Sequence, residues 1–197
     1  MSPLILIALG FYLASKAGFF NVGLPGQALA GWTSAVWFAL SFPELPKVVS
    51  VFCTVIIGLV AGGIAGAIPG ILRAYLGTSE VIVTIMMNYI ILYVANNIVR
   101  FGFTADMLRS SEASTVAASA SYQTEFYSLT GGSRFNIGFF LVLQAPLFVL
   151  LKKTTTGFEI TSVGLNLMRL NMQECHQMQV IIMSMIISGA LCGLEEQ

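Results

Sequence analysis

The chain has 197 residues, of which 56% are hydrophobic and only 9% are charged. Nine basic and nine acidic residues cancel, so there is no basic surface for nucleic acid, and the mean hydropathy of +0.85 predicts an integral membrane protein. The three cysteines, Cys53, Cys175 and Cys192, lack the spacing of a metal site or of a disulfide framework.

Apolar stretches recur along the chain at intervals that suit membrane helices. Taking ~20 apolar residues as one crossing, we predict an all-α, polytopic helical bundle that forms a single transmembrane domain over residues 1–197. The first stretch lacks a basic lead-in and a cleavage site, so we interpret it as a spanning helix and not as a removed signal. The six predicted crossings are residues 3–20, 27–42, 48–72, 80–99, 135–151 and 179–194.

A helix-breaking segment, Phe20-Asn-Val-Gly-Leu-Pro-Gly-Gln27, separates the first two crossings. Irregular backbone at membrane depth is tolerated where it is buried in protein or lines a cavity. Glycine and proline at this density also suit an ordinary tight turn, and both interpretations stay open. Under the first interpretation, Asn21 and Gln27 are candidates to line a substrate pathway.

Glycine recurs at every fourth residue in the third crossing, at Gly58, Gly62, Gly66 and Gly70. This spacing places the four glycines along one face of a helix. In lipid, small residues let helix backbones approach closely and gain dispersion contacts. The pattern therefore predicts a packing face inside the bundle.

The fourth crossing carries a polar stripe of Glu80, Thr84 and Asn88 at i, i+4 and i+8. Such a stripe normally faces protein or a water path. We expect Glu80 to lie in the first helical turn, after a hydroxyl N-cap from Thr78 or Ser79. Asn88 lies in mid-span and must hydrogen-bond there, so interhelical contact and pathway lining are both open. Thr84 and Asn88 join the pathway candidates.

Two polar segments lie between the crossings. Lys152 and Lys153 directly follow a predicted span, and basic residues near helix ends favour the cytoplasmic side. We therefore expect residues 152–178 to form a cytoplasmic loop and residues 101–134 to form an extracytoplasmic loop. Alternation then places residue 1 outside, which predicts a further helix upstream.

Six segments distributed over residues 3–194 share their order and spacing with one known family. They are Phe20-Asn-Val-Gly-Leu-Pro-Gly-Gln27, Ala67-Ile-Pro-Gly70, Glu80-Val-Ile-Val-Thr-Ile-Met-Met-Asn-Tyr89, Gly157-Phe-Glu-Ile160, Val163-Gly-Leu-Asn166 and Ser184-Met-Ile-Ile-Ser-Gly-Ala190. Together they resemble permease subunits of bacterial ABC importers for nucleosides and simple sugars, in the family that includes ribose and branched-chain amino acid permeases. The resemblance implies a second permease subunit, a cytoplasmic ABC ATPase, an extracytoplasmic substrate-binding lipoprotein and a location in the bacterial cell membrane.

The resemblance also implies a coupling helix that docks into the ATPase, within residues 157–178. The residues assigned to coupling on this basis are Gly157, Glu159, Gly164, Asn166 and Met168. After Asn166 the chain departs from the family pattern, because bulky residues replace small ones that suit close docking. Relatives have helices before residue 3 and after residue 194, so the resemblance implies a chain shortened at both ends.

No catalytic constellation or phosphate-binding loop occurs in the sequence. We expect no enzyme activity, metal or cofactor in this chain, and ATP with Mg²⁺ to be held by the partner ATPase. The block from Glu80 to Tyr89 resembles permeases that are partnered with nucleoside-binding lipoproteins, and this resemblance implies nucleosides as the solute. A simple-sugar permease and a non-transporting remnant remain alternatives, whereas an ion-coupled carrier would require a second helix break that the sequence lacks.

Overall fold

The computed structural model describes residues 2–42, 47–102 and 174–194, together with 153–154, 157–158 and 160–161. These residues contain helices and no strand, which confirms the all-α prediction. The main helices of the described residues are α1 (Ser2–Lys16), α2 (Leu24–Ser41), α3 (Lys47–Leu76), α4 (Glu80–Asn97) and α5 (Glu174–Gly193). One turn of π-helix, Ile98–Gly102, continues α4.

Each predicted crossing within the described residues coincides with one of these helices, whereas the predicted span 135–151 lies outside them. Two stretches, Phe52–Leu76 and Glu80–Arg100, are long and apolar enough to cross a membrane, judged by length and composition alone. Two shorter apolar stretches, Ile7–Lys16 and Met178–Gly193, belong to α1 and α5. The count of six crossings therefore stays a prediction.

Helix α1 ends in a glycine-based cap that turns the chain back into the bundle. Gly18 has a φ of 81°, in the left-handed region that glycine adopts without strain. The Phe19 N–H donates to the Ala14 carbonyl oxygen, and the Gly18 N–H donates to the Ser15 carbonyl oxygen, both at 3.0 Å. This pair of bonds is the Schellman pattern, and it satisfies the last carbonyls of α1 before the break begins.

Helices α3 and α5 approach each other backbone to backbone through glycine. A Cβ built on Gly62 would collide with the Gly189 carbonyl oxygen and lie 2.8 Å from the Gly193 Cα. One turn further along α3, a Cβ on Gly66 would lie 2.5 Å from the Met185 carbonyl oxygen. Only glycine fits at these positions without displacing a helix.

The other glycines of the ladder lie on the same face of α3. Gly58 and Gly70 are buried. The carbonyl oxygen of Gly58 faces Gly193, and a Cβ on Gly70 would lie 3.0 Å from the Met185 Cβ. Helix α2 reaches the same place, because a Cβ on Gly31 would lie 2.5 Å from the Gly193 carbonyl oxygen. Gly193 is thus a point where α2, α3 and α5 meet.

The connection from α3 to α4 is a tight turn built on Gly77, whose φ is 63°. Its N–H donates to the Arg73 carbonyl oxygen at 3.1 Å. The Arg73 guanidinium donates to the Thr78 carbonyl oxygen at 2.9 Å and pairs with the Glu80 carboxylate at 3.3 Å. One arginine therefore ties the end of α3 to the start of α4.

The hydrogen bond expected from a hydroxyl N-cap is not formed at α4. Ser79 occupies the N-cap position, but its side chain makes no capping hydrogen bond. The Thr78 hydroxyl donates instead to the Leu72 carbonyl oxygen at 3.1 Å, because the turn directs it back to the end of α3. Glu80 does lie in the first turn of α4, as expected.

Most of α4 presents apolar side chains outward. Thr84 and Ala95 are its buried residues, whereas Met86, Tyr89 and Tyr93 are each more than 60% exposed. A helix that is apolar on its outward faces suits lipid or further protein as its surroundings. Thr84 and Asn88 are turned toward the start of α2.

We predict that Gly62→Ala destabilises the bundle while the neighbouring Gly63→Ala does not. The Gly62 methyl would press on the backbone of α5, and overpacking of this kind costs roughly 1 to 3 kcal/mol. A Cβ on Gly63 would lie 3.6 Å or more from its neighbours, which is ordinary contact. Thermal unfolding of the purified variants in detergent measures the difference, and equal melting temperatures would contradict the close α3–α5 contact.

Candidate functional site: a polar centre at the helix break

The break between α1 and α2 holds a group of uncharged polar side chains, which we name the polar centre. Asn21, Gln27, Thr84 and Ser188 are at most 1% exposed, and Asn88 is partly buried. The group includes the four residues predicted to line a pathway, and the structure brings those four together from the break, α2 and α4. Ser188 joins them from α5.

Asn88 satisfies the backbone of the break from a neighbouring helix. Its Oδ1 accepts a hydrogen bond from the Gly26 N–H at 3.0 Å, and its Nδ2 donates to the Val22 carbonyl oxygen at 2.9 Å. The first N–H groups of a helix have no partner within that helix. Asn88 therefore caps α2 from α4, and the N-cap residue of α2, Gly23, has no side chain to do so.

Asn21 provides the second cap. Its Oδ1 accepts from the Gly23 N–H at 2.9 Å, while its Nδ2 donates to the Gln27 Oε1 and to the Ser188 Oγ, each at 3.2 Å. The Gln27 Nε2 lies 3.5 Å from the Asn21 Oδ1, so the two carboxamides face each other as a reciprocal pair. Buried amides require such partners, because an unsatisfied polar group in an apolar interior is costly.

Thr84 contributes close packing to the polar centre, because its hydroxyl is already hydrogen-bonded within α4. Its Oγ1 donates to the Glu80 carbonyl oxygen of its own helix at 2.7 Å. A Cβ on Gly23 would lie only 3.2 Å from the Thr84 Cβ and 3.1 Å from the Asn21 Oδ1. The chain passes through the polar centre at Gly23, which has no side chain to fill the space.

Pro25 lies in the first turn of α2 and suits that position. A proline has no N–H that would lack a partner there, and its fixed φ is compatible with the helix. The first intrahelical bond runs from the Gln27 N–H to the Gly23 carbonyl oxygen at 3.0 Å. The Gly-Leu-Pro-Gly sequence thus begins a helix inside the bundle.

Sequence reasoning missed Ser188. Its hydroxyl donates to the Gly10 carbonyl oxygen of α1 at 2.8 Å and accepts from Asn21. The sequence signal was a pair of serines, Ser184 and Ser188, one helical turn apart in an apolar span. That spacing places both on one face, but it does not tell which serine meets a polar neighbour.

The polar centre offers hydrogen-bond donors and acceptors without charge. Its amides and hydroxyls suit neutral solutes that carry both kinds of group. Among the described residues, no three His, Cys, Asp or Glu side chains lie together as they would to hold a metal ion.

The residues assigned to coupling fall mostly outside the described part of the chain, namely Glu159, Gly164, Asn166 and Met168. Gly157 is described and buried, and its N–H donates to the Thr154 Oγ1 at 3.2 Å. Nearby, Ile160 packs in a buried cluster with Ala17, Phe19, Val180 and Met185. The start of the predicted coupling segment therefore shares a buried cluster with the chain that leads to Asn21.

The chain matches one protein family over almost its whole length. Residues 1–195 match the family described as the permease component of the branched-chain amino acid transport system. The chain belongs to this permease family. The resemblance noted from the sequence is thereby confirmed, and so is membership in a class of transporter subunits that are not enzymes.

Relatives of this permease include proteins named for nucleosides. The chain is 46% identical to the nucleoside ABC transporter permease of Lactococcus lactis subsp. cremoris and 37% identical to the guanosine ABC transporter permease of Bacillus subtilis. It is 28% identical to the glucose ABC transporter permease of Haloferax volcanii. Each alignment covers 98% of this chain and 55%, 56% and 52% of the respective relative. The chain thus spans about half the length of these relatives. No solved structure matches it significantly.

We predict that Asn88→Ala destabilises the permease, whereas Asn97→Ala does not. Asn88→Ala leaves the Gly26 N–H and the Val22 carbonyl without their partner, and an unsatisfied buried group costs roughly 1 to 3 kcal/mol. Asn97 is exposed on the same helix, and its removal should change stability by less than about 0.5 kcal/mol. Thermal unfolding compares the two variants; a loss at Asn97 as large as at Asn88 would refute the cap.

Proposed function

We propose that the protein is a membrane-spanning permease subunit of an ATP-driven ABC importer that takes up nucleosides. The observation that carries the proposal is the order of similarity among its relatives. The two proteins named for nucleoside and guanosine transport are 46% and 37% identical to this chain, and the one named for glucose is 28% identical. This order favours a nucleoside over a sugar.

The polar centre is proposed to line the path of the solute. A nucleoside is neutral, and its base presents donors and acceptors side by side. Asparagine and glutamine carboxamides pair with such base edges in two-bond arrangements. Asn21, Gln27 and Asn88 provide three carboxamides around the start of α2, and the Thr84 Cβ lies beside Gly23. In the described state the Asn21 and Gln27 amides bond to each other, so passage would require their pair to open.

Coupling to ATP is proposed to involve residues 157–178 on the cytoplasmic side. Gly157, Glu159, Gly164, Asn166 and Met168 are the proposed contacts with a separate ATPase subunit, which would hold ATP and Mg²⁺. The burial of Ile160 in one cluster with Ala17 and Phe19 supports a mechanical connection, because movement of this segment would disturb the chain that leads to Asn21.

The working assembly would contain further subunits. We propose six crossings of the bacterial plasma membrane within residues 1–197, with 101–134 outside and 152–178 inside. A second permease subunit, the ATPase and an extracytoplasmic binding lipoprotein would complete the importer. Lipid would cover the outward face of α4, and nucleic acid is no partner.

Radiolabelled guanosine uptake tests this proposal. Cells or vesicles that contain the permease with its ATPase and binding protein should accumulate guanosine only when ATP is present. Excess unlabelled uridine or adenosine should compete, and glucose should not. Accumulation of glucose or ribose in place of guanosine would assign the protein to sugars, and accumulation of no solute would mark it as a non-transporting remnant.

A second test addresses coupling. Met168→Glu should weaken the association with the ATPase, because a charge replaces an apolar side chain in the proposed docking helix, and Met168→Leu should preserve it. The amount of ATPase that co-purifies with the permease in detergent measures both. Undiminished co-purification with Met168→Glu would place the docking surface elsewhere.

A further inference from the structure

Ser188 lies where three parts of the chain meet. It is fully buried in α5, it donates to the Gly10 carbonyl oxygen of α1, and it accepts from the Asn21 side chain in the break. Neither the sequence pattern nor the proposed pathway gave this serine a role. Its hydrogen bonds nevertheless constrain the orientation of the Asn21 and Gln27 carboxamides.

A hydroxyl has one proton to donate. The Gly10 carbonyl can only accept, so the Ser188 proton is committed to it. Toward Asn21, Ser188 must therefore act as an acceptor, and it requires the Nδ2 of Asn21 on that side. On the other side, the Gly23 N–H can only donate, so it requires the Asn21 Oδ1. Two backbone groups thus fix the orientation of the Asn21 carboxamide. The Gly10 carbonyl acts through Ser188, and the Gly23 N–H acts directly.

The fixed orientation extends to Gln27. The second Nδ2 proton of Asn21 points at the Gln27 Oε1, which accepts it at 3.2 Å. The Gln27 Nε2 is then left on the side of the Asn21 Oδ1, at the longer distance of 3.5 Å. Ser188 and the Gly23 N–H together therefore determine which edge of the amide pair presents donors and which presents acceptors.

We propose that Ser188 is a positioning residue that, together with the Gly23 N–H, holds the donor and acceptor polarity of the Asn21–Gln27 amide pair for a nucleobase. The proposal rests on the proposed function and adds a specificity-determining residue to it. A solute recognised by hydrogen bonds is sensitive to such polarity, because a reversed amide places donor against donor. Ser188 itself does not contact the solute.

Ser184 provides the matched control. It is a serine of the same helix, one turn earlier, and it is equally buried. Its hydroxyl donates to the Ile181 carbonyl oxygen of its own helix at 2.8 Å. Removal of that hydroxyl frees a carbonyl in α5 but leaves the connection between α1, the break and α5 unchanged.

The test compares threonine with valine at each serine position in the assembled transporter. The two side chains have nearly the same shape and differ in the hydroxyl, so their steric effects cancel in the comparison. We expect Ser188→Val to take up guanosine roughly tenfold more slowly than Ser188→Thr, because a buried amide proton loses its acceptor. Ser184→Val and Ser184→Thr should agree within about twofold.

Repeating the comparison with Asn21→Ala separates positioning from general stabilisation. If Ser188 acts through Asn21, the difference between threonine and valine at position 188 disappears in that background. A difference that persists there would overturn the proposal, as would equal uptake by Ser188→Thr and Ser188→Val with Asn21 present. If both β-branched variants fail to assemble, Ser188→Ala against Ser184→Ala decides by the same criteria.

Thermal unfolding tests the role of Ser188 independently of which solute is transported. If the unaltered transporter takes up no guanosine, the proposed function fails, and the thermal unfolding of the same variants still tests the network. The melting temperature should fall from Ser188→Thr to Ser188→Val, and this fall should shrink with Asn21→Ala. A fall of the same size in both backgrounds would refute the link between Ser188 and Asn21.

Discussion

A helix that begins inside a bundle must find hydrogen-bond partners for its first backbone groups, and this requirement organises the polar part of the permease. The N-cap residue of α2 is a glycine, and its first turn contains a proline, so the helix makes no side-chain cap of its own. Asn88 and Asn21 provide it, with bonds of 2.9 to 3.0 Å to the Gly26 N–H, the Val22 carbonyl and the Gly23 N–H. The amides that stabilise the break are the same groups that we propose meet the solute. A substrate that engaged them would therefore compete with the cap, which links binding to a movement of α2.

The glycine contacts determine how closely the helices around these amides approach each other. Gly189 and Gly193 of α5 rest on the backbone of α3, and Gly31 brings α2 to the same end of α5. Because Gly189 directly follows Ser188, the contact that holds α5 against α3 also fixes the depth at which Ser188 meets Gly10 and Asn21. Close packing in lipid depends on small residues, since the hydrophobic effect contributes little between helices there. The glycine packing of α5 against α3 and the hydrogen bonds of Ser188 therefore depend on each other.

Much of this arrangement is readable in the sequence, and the exceptions have physical causes. The period of Thr84 and Asn88, together with the glycine–proline break, points to residues that the structure places in one group. Periodicity gives the face of a helix but not its neighbour, so Ser188 could not be separated from Ser184. Ser79 occupies the N-cap position of α4 as predicted, but the expected hydroxyl hydrogen bond is not formed there. The turn at the left-handed Gly77 brings the Thr78 hydroxyl to the Leu72 carbonyl oxygen of α3, and no local pattern encodes that direction. Residues 103–152, with the predicted fifth crossing, lie outside the described part of the chain.

The proposed path of a nucleoside passes the break between α1 and α2. Thr84→Cys places a thiol of similar size beside Gly23, at a position that is fully buried in the described state. In a transporter without other cysteines, a water-soluble thiol reagent should modify this cysteine during ATP-driven turnover, and saturating guanosine should slow the modification. Tyr93→Cys, on the outward face of α4, should show no response to guanosine. A Thr84→Cys thiol that never reacts, or that reacts at the same rate with and without guanosine, would contradict the account.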